Sequence, residues 1–173
     1  MGLGRFFTLL VAGVLPIAAE APVFAAPRAA FPPAQATVDI RQPASVRLMN
    51  DLNFAYLTVT TAGTAIVNPD TDTMTTTGGV VRIAGTPYAA QFEAVSPVKG
   101  VVHIRAPKTP STLTRVGGTE TMTVTNFIVS GSGTRNANAK EPFAFKVGGT
   151  LNVNANQVEG LYTGAFTVDV QYP

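Results

Sequence analysis

The stretch GLYTGAFTVDVQYP, residues 160–173, shows most clearly how this chain folds. Large apolar side chains occupy every second position, and small or polar ones lie between them. A period of two predicts a β-strand with one buried face and one face toward solvent. The sequence after this strand offers no element to cover the buried face, so we expect part of the cover to come from another chain. The apolar positions are Phe166, Val168, Val170 and Tyr172.

The chain from Thr37 onward has the same character, being rich in Val, Thr, Ile and Phe and interrupted by Gly, Asn and Pro. No window of useful length has apolar residues at helical spacing. Turn signals recur about every ten residues, which predicts about nine or ten short strands. We therefore predict an all-β domain over residues 37–173, an immunoglobulin-like antiparallel β-sandwich that either is self-complete or lacks its final strand.

The N-terminal part has the composition of a secretory signal peptide, which we assign to residues 1–25. Arg5 precedes the apolar run 6–19, and small residues before the predicted cleavage after Ala25 complete the pattern. An uncleaved N-terminal anchor is the alternative. Cleavage predicts a protein in the periplasm, at the cell surface or outside the cell, without a membrane span. Residues 26–36 are rich in Pro and Ala and are predicted to be extended.

Two Val-Gly-Gly-Thr stretches predict turns, and the first fits a hairpin well. In LTRVGGTETMTV, a two-residue loop at Gly117–Gly118 sets Arg115 opposite Glu120. The same register sets Leu113 opposite Met122. Opposite charges and apolar side chains then face each other across the strands, as stable pairing requires.

The second stretch, FAFKVGGTLNV, does not fit the same two-residue loop. That loop would set Phe145 opposite Asn152, an apolar side chain against a polar one. A three-residue loop over 148–150 corrects the register and pairs Phe145 with Val153. A crossing of the chain between two sheets is the alternative.

Few side chains could carry catalysis. The chain has one histidine, His103, and no cysteine. Alternation in VVHIRA places His103 on the solvent face with Val101 and Arg105. The motifs GxSxG and GxxxxGK[ST] are both missing from the sequence. We predict that the protein is not an enzyme and needs no cofactor, and we rank a hydrolase with a pocket around His103 last.

Binding of nucleic acid or of a metal ion has little support in the sequence. The formal net charge is +2 and the basic residues are scattered singly, which does not predict binding to nucleic acid. Asn68, Asp70 and Asp72 have the alternate oxygen spacing of a calcium loop. Thr73 and Gly79 stand where such a loop has Gly and Glu, and Asx residues also form ordinary turns. We therefore predict no metal site.

Four stretches carry a resemblance to a known family. They resemble bacterial exported proteins catalogued as domain of unknown function 4402, over most of the chain from Asp51 onward. Ala55 departs from the pattern, since a glycine is expected after DLNF. The family offers no catalytic residues to transfer. The stretches are DLNFA (51–55), TTTGGVVRIAGTPYAAQF (75–92), GGTETMTVTNF (117–127) and VGGTLNVNANQVEGLYTGAFTVDVQY (147–172).

The closing Gly-x-Tyr turn and alternating strand also resemble the end of chaperone–usher pilin subunits, in particular the spore-coat-U-like and common-pilus groups. The resemblance implies a sandwich whose missing strand comes first from a periplasmic chaperone and then from the next subunit. Other copies or related subunits and a chaperone are thus the expected partners. The predicted acceptor edge is Phe166, Val168, Val170 and Tyr172, and the predicted strand donor is Ala34, Ala36, Val38 and Ile40.

An alternative treats residues 37–42 as the first strand of the same domain, which is then self-complete. Three prolines within 27–33 weaken the donor, because proline donates no ladder hydrogen bond. In that case we expect a monomeric exported binding module. It would present loops 68–78 and 130–142 to a carbohydrate or a protein.

Overall fold

A computed structural model describes Val38 and residues 43–173. The predicted signal peptide, the segment 26–36 and, except for Val38, the predicted donor and first-strand residues lie outside the described residues. The described part of the chain consists of strands and loops without a helix, and it therefore holds no helix that could span a membrane. The all-β, antiparallel sandwich predicted from the alternating sequence is confirmed.

Eleven strands lie within residues 43–173, and they form two sheets. The larger sheet has eight strands and the smaller has three, in the order β11-β5-β8. The strands are β1 (Ser45–Asn50), β2 (Tyr56–Val67), β3 (Met74–Ala84), β4 (Ala90–Val95), β5 (Gly100–Arg105), β6 (Ser111–Arg115), β7 (Thr121–Val129), β8 (Thr134–Ala137), β9 (Pro142–Val153), β10 (Tyr162–Thr163) and β11 (Asp169–Gln171).

Strand β9 is the centre of the larger sheet. Along one side, its first half pairs with β4 and its second half with β2. Along the other side it pairs with β7. The sheet then continues from β4 to β1, from β2 to β3, and from β7 through β6 to β10. The two halves of β9 thus belong to two branches of one sheet, and each branch has its own neighbours.

The hairpin predicted within residues 143–153 is wrong, because β9 runs unbroken through both glycines. Phe145, Val147, Leu151 and Val153 are all odd-numbered and all buried, so one strand keeps them on one face without a turn. Glycine is needed here for space. A Cβ at Gly148 would overlap the backbone carbonyl oxygen of Val67 in the neighbouring strand.

The register of the hairpin predicted around Gly117–Gly118 is confirmed, but its loop is longer than two residues, because the Gly118 N–H donates to the Arg115 carbonyl at 3.1 Å and centres the turn on Val116 and Gly117. Leu113 pairs with Met122, and the backbone N–H of Arg115 donates to the carbonyl of Glu120 at 2.9 Å. The Arg115 Nε also donates to Glu120 Oε2 at 2.6 Å. This hydrogen bond holds the pKa of the Glu120 carboxyl below its ordinary value. The pattern of opposite charges in the sequence therefore identified the correct register.

The single strand predicted over 161–172 is divided in the structure. β10 pairs with β6 in the larger sheet, whereas β11 pairs with β5 in the smaller one. Residues 164–168 lie outside both strands, because the chain crosses between the sheets here. Gly164 permits the crossing, since a Cβ at this position would overlap the carbonyl oxygen of Thr112.

The interior has two apolar clusters. The first core lies between β4, the first half of β9 and the smaller sheet, and it includes Val102, Ile104 and Phe145. The second core lies on the other branch, around β2, β7 and the second half of β9, and it includes Val124 and Leu151. The described residues of the second core include none from β5, β8 or β11. The smaller sheet therefore covers only the first core.

Candidate functional site

A cleft of about 1040 Å³ opens over the second core, where the smaller sheet does not reach. Strands β2, β7 and β9 form its floor. One wall is the segment 51–56 and the other is 157–166. The floor is apolar, with Leu57, Val124 and Leu151 among its residues. Val124 and Leu151 are only 2% and 3% exposed, because the half-buried side chains of Leu52, Phe54 and Leu57 pack on this core; these half-buried side chains face the cleft.

A hydrogen bond joins the segments that carry the two walls. The Tyr172 hydroxyl donates to the carbonyl oxygen of Ser45 at 2.8 Å, which joins the C-terminal segment to the start of β1. Burial raises the pKa of this hydroxyl, so it stays protonated and able to donate. From Ser45, β1 extends for about 20 Å toward Asp51, which lines the cleft. The contact between Tyr172 and Ser45 therefore joins the two walls beyond one end of the cleft.

The C-terminal wall keeps the alternation seen in the sequence. The predicted acceptor residues Phe166, Val168, Val170 and Tyr172 are all half-buried and pack on the first core. The Phe166 ring lies 4.8 Å from the ring of Phe127 and 6.4 Å from that of Phe92. Residues 164–168 pair with no strand in the described part of the chain. Their backbone N–H and C=O groups are thus open to another strand.

The opposite wall is the DLNFA segment, which an isolated β-bridge and a side-chain turn at Asn53 hold in place. The Asn53 N–H donates to the Tyr88 carbonyl at 2.9 Å, and the Tyr88 N–H donates back at 3.1 Å. The Asn53 side chain accepts the N–H of Ala55 at 2.6 Å. Ala55 has φ of 59°, in the left-handed region that favours glycine. The departure noted in the sequence therefore falls on a position where a glycine has a physical reason.

The rim of the cleft was not apparent from the sequence. It includes apolar side chains that are 44–68% exposed, although such residues are usually buried. The charged residues that line the described cleft, Asp51 and Glu159, are both acidic. Whether such a side chain is covered depends on the packing of the whole folded chain, which no local sequence pattern encodes. The exposed apolar residues at the rim are Leu48, Tyr56, Ile83, Val158 and Leu161.

The oxygens of the calcium-like stretch are used within the protein. The Asn68 side chain accepts the N–H of Asp70 at 2.8 Å, as in an ordinary Asx turn. Asp70 accepts the N–H of Gly131 at 2.7 Å. Asp72 pairs with Lys146, which lowers the pKa of the carboxyl. No group of three metal-ligating side chains occurs in residues 43–173.

The same contacts bring together the loops 68–78 and 130–142. The bond from Asp70 to Gly131 joins them at one end of the molecule. Both predicted loops are shorter in the structure, because residues 74–78 belong to β3 and residues 134–137 form β8.

His103 lies on the exposed face of β5, as predicted. Its neighbours Val102 and Ile104 point into the first core and are 0% and 4% exposed. The His103 Nδ1 lies 3.1 Å from the Thr134 hydroxyl across the β5–β8 pair. The cleft is lined by other strands and does not include this histidine.

The predicted donor residues have one described member, Val38. Its side chain is 84% exposed. Ala34, Ala36 and Ile40 lie outside the described residues.

Comparisons with known proteins identify the family but no characterised relative. No curated protein matches this chain, and no solved structure matches it. A family model matches residues 44–172, which include both walls and the floor of the cleft. The resemblance drawn from the four sequence stretches is thereby confirmed, and the chain belongs to the family described as Domain of unknown function (DUF4402).

Proposed function

We propose that this protein is an exported structural subunit that assembles with other subunits by accepting a β-strand in its cleft. The observation that carries the proposal is the apolar cleft over the second core, beside residues 164–168, whose backbone has no ladder partner in the described chain. A strand added here pairs with that backbone and places alternate side chains on the apolar floor. The subunit is pilin-like in this sense and acts at the cell surface.

A strand suits this cleft better than a compact ligand does. Its wall offers both apolar side chains, such as Phe166, and unpaired peptide groups. A strand can contact both, because its backbone forms hydrogen bonds with the peptide groups of the wall while every second side chain packs on the apolar floor. An open edge of this kind promotes aggregation unless another chain covers it. The proposal therefore includes a periplasmic chaperone that covers the cleft before assembly.

The donor in this proposal is the segment Ala34–Ile40 of another copy. Ala34, Ala36, Val38 and Ile40 share one face of an extended chain, and seven residues span about 23 Å. Related subunits with a similar segment could serve in its place. The proposal assigns no catalytic step to the protein.

A matched pair of variants tests the proposal. The mature protein is sheared from cells and run on gels in SDS with and without boiling. We expect a ladder that collapses to one band on boiling. Val38→Asp places a charge on the donor face and should abolish the ladder, whereas Thr37→Asp lies on the other face and should keep it. A monomer band from the unchanged protein under both conditions would refute strand donation.

A monomeric exported binding module is the second candidate. The bond between Asp70 and Gly131 favours it, because this bond fixes two loops beside each other at one end of the sandwich. Such loops could present a surface to a carbohydrate or a protein. A stable monomer that binds a glycan array or a host protein through these loops would support this reading instead.

A further inference from the structure

The second core is closed even though the smaller sheet contributes none of its described residues. Val124 and Leu151, at its centre, are 2% and 3% exposed. Leu52 and Phe54 are among the half-buried side chains that pack on this core, and they belong to the segment that joins β1 to β2. We name residues 51–55 the flap. The flap therefore supplies part of the cover that the smaller sheet gives to the first core.

The flap presents its side chains as a strand does. Leu52 and Phe54 are half-buried and lie two positions apart, and the exposed Asn53 lies between them. The proposed donor has the same spacing, with Val38 two positions before Ile40. A strand that enters the cleft needs the apolar floor for its own alternate side chains. The flap and the donor therefore compete for the same surface.

Few hydrogen bonds hold the flap in place. Within it, Asn53 alone forms a β-bridge, and the partner is Tyr88. Two backbone hydrogen bonds of 2.9 and 3.1 Å join these residues, and the Asn53 side chain donates to the Tyr88 hydroxyl at 3.3 Å. The neighbouring strands β1 and β2, by contrast, pair along ladders with β4 and β3. A segment held in this way opens at a lower free energy than the strands beside it.

The end of the flap next to β2 is strained. Ala55 has φ of 59°, a region in which residues with a Cβ are rarely found. If the turn opens, this strain is released, so the strain favours the open form. Backbone strain of this kind is common in segments that switch between two conformations.

We propose that the flap closes over the second core in the free subunit and opens when a donor strand enters the cleft. Leu52 and Phe54 then leave the floor, and the alternate side chains of the donor take their place. Before assembly, the closed flap keeps apolar surface away from water and so protects the free subunit from aggregation. This inference rests on the proposed strand donation and adds a control on its rate.

The control follows from the population of the open flap. Only subunits with an open flap accept a strand, so the apparent affinity for the donor falls by the fraction that is open. A change that stabilises the closed flap should therefore slow assembly. A covalent bond that holds the flap shut should prevent it.

A disulfide across the bridge provides such a bond. Asn53 and Tyr88 exchange both backbone hydrogen bonds, so their Cα atoms lie about 5.5 Å apart, within the range that a disulfide spans. The natural chain has no cysteine, so Asn53→Cys with Tyr88→Cys forms one defined bond. Assembly of the purified mature protein is followed by SDS-resistant oligomers on unboiled, non-reducing gels. We expect the oxidised variant to assemble at least about tenfold more slowly than its reduced form.

A matched disulfide outside the flap serves as the control. Thr114→Cys with Thr121→Cys joins two paired, exposed residues of β6 and β7. Oxidation of this variant should leave the assembly rate unchanged. If the oxidised flap variant assembles as fast as its reduced form, the flap does not open for strand entry, and the proposal is refuted while strand donation stands.

Two glycine substitutions test the flap without a cross-link. Ala55→Gly relieves the strain of the closed flap and should slow assembly about twofold to fivefold. Lys140→Gly relieves a φ of 64° outside the flap and should leave the assembly rate unchanged. Equal assembly rates for the two variants would contradict the proposal.

Hydrogen exchange in the free subunit measures the opening without assembly. The amides of Asn53, Ala55 and Tyr88 should exchange together through one opening, and Ala55→Gly should slow all three about twofold to fivefold. The Gly131 amide, which donates to Asp70 in another loop, should keep its rate. Unrelated rates for the three amides would refute a flap that opens as a unit. If the unchanged protein forms no SDS-resistant oligomers, strand donation fails, and the role of the flap in strand entry fails with it.

Discussion

Replacing Ala55 by glycine should stabilise this protein, although glycine usually weakens folded structure. Ala55 has φ of 59°, and an L-residue with a Cβ pays about 1–2 kcal/mol in this region. Glycine removes that strain. Glycine also has more conformational freedom than alanine in the unfolded chain, and this reduces the gain in stability by about 0.5–1 kcal/mol. The hydrogen bond from the Ala55 N–H to Asn53 is unaffected, because it uses the backbone.

The expected net gain for Ala55→Gly is about 0.5–1 kcal/mol in the free energy of unfolding. For a domain of this size, that corresponds to a rise of about 2–5 °C in the midpoint of thermal unfolding. Circular dichroism on purified monomer, with urea unfolding as a second measure, detects a change of this size. The urea midpoint should rise while the slope stays constant, since the exposed area on unfolding is the same.

Two further substitutions make the test decisive. Ala84→Gly lies in β3, where the backbone is extended, so it should destabilise by about 0.5–1 kcal/mol. Lys140→Gly, with φ of 64°, should stabilise as Ala55→Gly does. If Ala55→Gly lowers the midpoint as much as Ala84→Gly, the assignment of backbone strain to this wall of the cleft is wrong.

Three other changes have expected outcomes. Tyr172→Phe removes the hydrogen bond to Ser45 and should cost about 1 kcal/mol in urea unfolding at neutral pH. Asp72→Asn should destabilise the protein at neutral pH, because it removes the pair with Lys146. The difference in unfolding free energy between the variant and the unchanged protein should vanish as the pH falls through the lowered pKa of Asp72, since protonation also breaks the pair. Unfolding measured from pH 7 to pH 2 tests this. Gly148→Ala should prevent normal pairing of β9 and lower the free energy of unfolding by about 3 kcal/mol or more, as measured by expression yield and unfolding midpoint. A loss below about 1 kcal/mol would contradict the close packing at this glycine.

Local alternation predicted the fold class, the exposed face of His103 and the register from Leu113 to Met122. Each of these depends on neighbours close in sequence, where a period of two or a charge pair is directly visible. The sequence did not predict strand β8, because no alternation of apolar residues or charge pair is visible there. Its sequence, TRNA, is short and polar, and it lies at the edge of the smaller sheet.

The unbroken strand β9 shows how a local signal can mislead. A Gly-Gly pair usually marks a turn, and it does so at Gly117–Gly118. In β9 the same pair lies between strands on both sides, where Gly148 is required by the nearby β2 backbone. The signal available in the sequence was the odd numbering of Phe145, Val147, Leu151 and Val153, which one continuous strand satisfies without any loop.

The cleft could not be predicted from the sequence, because it forms where the larger sheet extends beyond the smaller one. Local patterns identify which side chains face inward, but not whether anything lies opposite them. Leu57 and Leu151 face inward by alternation, yet they pack in a core to which the smaller sheet contributes none of the described residues. Their alternation is the same as that of Val102 and Ile104, which belong to the smaller sheet and pack in the first core.

The division into two cores has a consequence for stability. The first core is covered by the chain's own smaller sheet, whereas the second faces the cleft. The chain has no disulfide to compensate, since it has no cysteine. Any strand that fills the cleft binds the folded domain and not the unfolded chain, so it must raise the apparent stability by mass action. Under the proposed function, the assembled subunit is therefore more stable than the free one, and the half-buried side chains packed on the second core, such as Leu57, become fully buried only after assembly.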